Sequence, residues 1–183
     1  NGLKIITIEN QTLPSIGFGL LIKSGSSQDP MAKTGTTALM SLVMEKGTKS
    51  MNAVQIADEL GHLGSDFQQM VSEDMSWFQL TGLSFDQKRL FEIFSQIILD
   101  PAFSNSEIER EKKNVIAGIT KLIDYPDRFA GDAFDRFLYG SHPYSRSVNG
   151  TIRDVNSINR SDLERMYRQI IRPNNAILVV TGA

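Results

Sequence analysis

The sequence contains no cysteine, which excludes thiolate metal sites, thiol nucleophiles and disulfides. Histidine is almost as scarce. His62 and His142 are the only two, whereas a hydrolytic zinc site needs about three His, Asp or Glu ligands plus an open position for water. No apolar run approaches the ~20 residues of a membrane-spanning helix. Charge of one sign is also lacking: 19 Lys and Arg stand against 21 Asp and Glu, so no basic field favours nucleic acid. Basic residues cluster only briefly, as at Arg110-Glu111-Lys112-Lys113, which is expected to be a solvated helix face.

What is present suits one globular domain. The chain has 183 residues, 40% hydrophobic and 22% charged, a length at which one core commonly serves the whole chain. At that size roughly 70% of the unfolded surface can be buried, so neither disulfide nor metal is required for stability.

Residues 3–9 (LKIITIE) and 15–23 (SIGFGLLIK) read as two strands joined through a turn at Pro14 and forming a hairpin. A polar loop, SGSSQDPMAKTG, leads into a helix that is apolar on nearly every side from Ala38 to Met44, as a helix inside a core would be. In SMNAVQIADELGHLG the residues Ala53, Ile56, Ala57, Leu60 and Leu63 recur at helical spacing. Two strands follow, over 65–71 and 75–82. A helix over 85–99 ends before Pro101. Another runs over 104–123, with Ser104 and Glu107 placed as a capping box. A further helix is expected over 127–138, a last one capped by the SDLE of Ser161 to Glu164 with Leu163, Met166, Tyr167 and Ile170 inward, and a closing strand over 176–181. Strands and helices come in pairs, so the fold class is α+β, a largely antiparallel sheet with helices on one face.

The residues alone offer little chemistry. Glu59 and His62 share a helix face at i, i+3, but the plainer reading is a histidine in the last helical turn beside an exposed glutamate. His142, in GSHPYSR, has no nucleophile or orienting acid assigned to it by the sequence. Ser24 and Ser26, each followed or preceded by Gly25, match neither a nucleophile elbow nor a phosphate loop. Gly17 and Gly19 alternate within a strand and are expected to permit close packing. Trp77 and Phe78 are expected to face the core on one side of their strand.

The order of motifs is more telling. The GSSQDP loop precedes a helix ending in Lys46-Gly47-Thr48, then come LGHLGSDFQQMVSEDMSWFQL, FSNSEIEREKKNVIAGI and YGSHPYSRSVNGT. In that order they resemble the N-terminal domain of the pitrilysin-type zinc metallopeptidases, the group of insulin-degrading enzyme and the mitochondrial processing peptidases. Active members carry H-x-x-E-H on the helix before K-G-T, with a further glutamate ligand on a later helix. The resemblance puts the two histidines at Ala38 and Leu42, the glutamate at Ser41, and the last ligand at Gly118. All four positions are vacated, so no catalytic residue, metal ligand or cofactor is expected. Methyl and isobutyl groups supply no ligand, and Ser41 has no base to work with. Ala38 and Leu42 are expected to extend the apolar face and fill the pocket.

The resemblance implies a catalytically inactive subunit that pairs with an active zinc-bearing homologue and helps enclose an unfolded peptide. Active relatives add the peptide as a strand along a hairpin edge, which here falls at Gly64, Ser65, Asp66, Phe67, Gln68 and Gln69. The apolar residue that helps form their substrate pocket is Glu45 here. A purely architectural subunit of a larger complex is the alternative, and an active hydrolase with an unrecognised site is a weaker one. The chain is expected to be the N-terminal part of a longer two-domain protein. The resemblance favours a periplasmic or membrane-associated location.

Overall fold

The computed structural model describes residues 1–182. Five strands form one sheet in the order β1-β5-β2-β4-β3. They are β1 (Lys4–Glu9), β2 (Ser15–Ile22), β3 (Asp66–Val71), β4 (Ser76–Leu83) and β5 (Ala176–Gly182). The fold is α+β, and every pairing is antiparallel except that of β1 with β5.

That exception corrects the expected opening hairpin. β1 and β2 do not pair, because the last strand inserts between them, parallel to β1 and antiparallel to β2. A turn residue such as Pro14 marks a change of direction but not the partner. Ile177, Leu178, Val179 and Val180 are apolar on both faces, as a strand paired on both sides and shielded there tends to be.

Seven α-helices are described: α1 (Thr36–Met44), α2 (Ala53–His62), α3 (Gln87–Leu99), α4 (Asn105–Lys121), α5 (Pro126–Tyr139), α6 (Ile152–Ser157) and α7 (Arg160–Ile170). The short α6 carries no long apolar period for the sequence to reveal. Alternation along β2 sends Ile16, Phe18, Leu20 and Ile22 into the core. There they meet Leu39, Met40, Val43 and Met44 of α1, Leu90, Phe94 and Ile97 of α3, and Leu163, Met166 and Ile170 of α7. Burial of such side chains stabilises by about 1.5–3 kcal/mol each. Phe78 joins this core, while its neighbour Trp77 lies on the opposite, more open face. A Cβ on Gly19 would come within 2.3 Å of the Trp77 ring, so the glycine makes room for an indole.

Two helix starts differ from expectation. Ser104 occupies the N-cap of α4 but makes no capping hydrogen bond; its hydroxyl lies 3.3 Å from that of Ser106. Glu107 instead pairs with Arg110 at 2.5 Å. On α7 the cap is Asn159, which forms a capping box with Asp162, and Ser161 lies inside the helix. Both serines faced acids at suitable spacing, and a neighbouring cation or a better acceptor two residues earlier displaced them.

The loop before α1 is packed tightly against the loop that leads into α6. Gly150, at φ 75°, approaches Thr34 so closely that a Cβ there would sit 2.1 Å from the Thr34 carbonyl oxygen. Helix α5 leaves apolar residues uncovered. Its Phe134, Phe137 and Leu138 face solvent, Phe137 being 87% exposed.

Candidate functional site

Helix α1 owes its position to Asp29. The carboxylate accepts from the main-chain N–H of Gly35 at 2.8 Å and of Thr37 at 2.9 Å, and from the Thr37 hydroxyl at 2.6 Å. These bonds satisfy orphan donors of the first turn, the role of an N-cap supplied from the preceding loop. Burial pushes the Asp29 carboxyl above its ordinary range, although Thr37, Gly35 and the charge of Arg146 act against the shift.

Along this helix Ala38 and Ser41 are buried and Leu42 is half-buried. Ser41 is 0% exposed, and its hydroxyl has no hydrogen-bond partner among the described residues. A group so enclosed cannot take a proton from a water-borne nucleophile. Leu42 and Gly118 line one cavity of about 290 Å³ between α1 and α4. The pocket expected to be filled is therefore open. Leu42 borders it, and at Gly118 a Cβ would meet nothing within 4 Å.

The chemistry of that cavity does not fit zinc. Its lining holds one carboxylate, Glu111, with the amides of Asn114 and Asn149 and the apolar Leu42, Val115 and Ile119. One hard oxygen donor falls short of the three ligands such a site requires. Among the described residues no group of three or more His, Cys, Asp or Glu is placed to hold a metal. The Glu59 and His62 pair is separately engaged. Arg89 holds Glu59 from Nε at 2.9 Å and from a terminal nitrogen at 2.8 Å, and His62 Nδ1 lies 2.7 Å from the Asp58 carbonyl oxygen. His142 accepts from the Tyr144 N–H and stacks edge-on against that ring.

Glu111 and Lys112 also correct the solvated face expected of their cluster, being 6% and 7% exposed. Their positions share the inward stripe of Ile108, Val115 and Ile119, so helical spacing held the signal that charge obscured.

A second, larger groove has a volume of about 520 Å³. Glu45, Ser65, Asp66 and Phe67 line it, and so do two cations, Lys46 and Arg110. Glu45 is ion-paired with Lys46. Gly64, at φ 58°, turns the chain into β3, while Gln68 and Gln69 continue that strand beyond the groove. Phe67 reaches inward instead, its ring 6.3 Å from Phe78 and 6.2 Å from Phe94. Strand β3 ends the sheet and pairs only with β4. Its outer row of main-chain donors and acceptors is thus a template for an added strand.

A family model described as insulinase (peptidase family M16) matches residues 4–152. The uncharacterized zinc protease YmxG of Bacillus subtilis is 22% identical over 182 residues, covering 100% of this chain and 44% of that protein. Mitochondrial-processing peptidase subunit beta of Saccharomyces cerevisiae is 25% identical over 183 residues, covering 100% of this chain and 40% of its own. The crystal structure of a peptidase M16 inactive domain from Pseudomonas fluorescens superposes with a TM-score of 0.93 at 26% identity, covering 99% of this chain and 44% of the other. The chain spans less than half the length of these relatives.

Proposed function

Because this chain belongs to the insulinase family of peptidases (family M16), we propose that it serves there without metal chemistry, as a non-catalytic domain that binds an extended peptide and helps enclose it. The observation that carries this reading is the pair Leu42 and Gly118. They line one cavity, at the positions the resemblance gives to a histidine and a glutamate ligand, and the one carboxylate in that lining is Glu111. Ala38 and Ser41 complete the vacated set.

Peptide binding is supported by the open edge of β3 and the groove running beside it. Main-chain bonds along such an edge hold a peptide whatever its sequence. Pairing with an active, zinc-bearing homologous domain is supported by the outward aromatic residues of α5, since an apolar helix face left in solvent suits a surface closed against a partner.

Two measurements test the proposal. The purified protein should bind no stoichiometric zinc, and it should bind a fluorescein-labelled unstructured peptide by anisotropy. Proline at Gln68 and proline at Gln69 should behave differently. Adjacent strand residues point their N–H groups to opposite sides, so one variant should fold normally yet lose the peptide. Stoichiometric zinc or hydrolysis by the protein alone would overturn the non-catalytic assignment. Absence of peptide binding would leave a purely architectural role.

A further inference from the structure

The cavity vacated by the metal ligands has a chemistry of its own. Its lining holds Glu111, 6% exposed, with the alkyl groups of Leu42, Val115 and Ile119 and the amides of Asn114 and Asn149. An ionised carboxylate offers about four acceptor positions. Here it receives one amide hydrogen bond, from Asn114 at 3.2 Å, and a long approach from Arg110 Nε at 3.5 Å. Arg110 is committed elsewhere. Its terminal nitrogen pairs with Glu107 at 2.5 Å, and it lines the larger groove rather than this cavity. A buried negative charge so lightly compensated favours a cation. The cavity, at about 290 Å³, far exceeds the ~10–15 Å³ that a single water needs.

We infer that this cavity is a pocket for a lysine or arginine side chain of the bound peptide, with Glu111 as its counter-ion. The apolar walls take the alkyl stem of the side chain and the carboxylate takes its charged head. Gly118 keeps the mouth open, since no side chain occupies the space. Arg110 lines the peptide groove and Glu111, its neighbour on α4, lines this pocket, so in this proposal one peptide serves both. This inference rests on the peptide-binding reading above and names the side chain that reading leaves open. Because edge binding ignores sequence, a bound peptide can shift register to bring its basic residue to the pocket.

The test compares two short unstructured labelled peptides, identical except that one has a central lysine and the other norleucine, the uncharged analogue. The wild-type protein should bind the lysine peptide about tenfold more tightly. Glu111→Gln and Gly118→Leu should each abolish that preference, the first by removing the charge and the second by filling the space. If Glu111→Gln fails to fold, as judged by circular dichroism, Gly118→Leu carries the test. Equal affinity of the wild-type protein for both peptides would overturn the pocket and leave edge binding intact. A lysine preference undiminished in either folded variant would also overturn it. Binding of neither peptide would overturn the peptide-binding reading and the pocket together.

Discussion

Arg146 donates from one terminal nitrogen to the main-chain oxygen of Asp29 at 2.8 Å, and from the other to that of Ser27 at 3.1 Å. The loop after α5 is thereby fastened to the loop before α1. Asp29 in turn holds the first turn of α1 through its carboxylate. The loop motifs that flank α1 therefore have a structural duty independent of any metal. They set the helix on which Ala38, Ser41 and Leu42 ride.

Asp29→Ala should lower stability by about 3 kcal/mol in urea denaturation, because it strands two buried main-chain N–H groups and the Thr37 hydroxyl. The pH dependence has a definite sign. Burial raises the Asp29 carboxyl above the ordinary 3.8 in the folded state, so the folded protein holds this proton more tightly than the unfolded chain. The resulting contribution is full below 3.8 and is lost as pH rises through the folded value. The stability of the wild type relative to Asp29→Asn should accordingly shrink across that window.

Asp162 behaves in the opposite sense. Burial pushes its carboxyl up, but the hydrogen bond from Lys33, the Asn159 N–H and the charges of Lys33 and Arg165 bring it below 3.8. Its contribution is present above 3.8 and is lost as pH falls through the folded value. Lys33→Met should lower stability by about 1–2 kcal/mol at neutral pH. The deficit should fade in acid, once Asp162 is protonated in both proteins. Urea midpoints collected from neutral pH downward would show this.

Much of this fold is written locally. Ile56 and Leu60, or Leu163, Met166 and Ile170, announce their helices because a half-buried helix must repeat its apolar face. The sheet order is not local: nothing between Lys4 and Ile22 reveals that residues Ala176 to Gly182 will come between the first two strands. At the candidate site, the groove-lining positions Glu45, Ser65 and Asp66 were reached by resemblance. Arg110 and Glu111 are hidden in the sequence because a charged run on a helix resembles a surface. Only the inward stripe of Ile108, Val115 and Ile119 marks Glu111 as enclosed.

Ser41→Ala should be neutral or stabilising by about 1 kcal/mol. The hydroxyl is fully buried without a partner among the described residues, so the native state bears its desolvation cost with no hydrogen bond in return. Alanine keeps the helix and removes that cost. Thermal unfolding of the two proteins decides the matter, and a loss of more than about 1 kcal/mol would reveal a partner for the hydroxyl.

Leu42→His combined with Gly118→Glu should create a zinc site where the wild type has none. Both positions border the cavity that already contains Glu111, so the double variant would supply one imidazole and two carboxylates with room for water. Gly118 can accept a side chain, since a Cβ there meets nothing within 4 Å. Leu42 is half-buried at the cavity wall, and its replacement removes apolar contact from the rim more than from the core. Hydrolysis is not expected, because Ser41 remains enclosed and no base reaches a metal-bound water. Stoichiometric zinc by elemental analysis, with a tetrahedral cobalt spectrum in the substituted form, is the expected result for the double variant. Zinc uptake by neither protein would mean that Leu42, Glu111 and Gly118 border a common space without converging on one point within it.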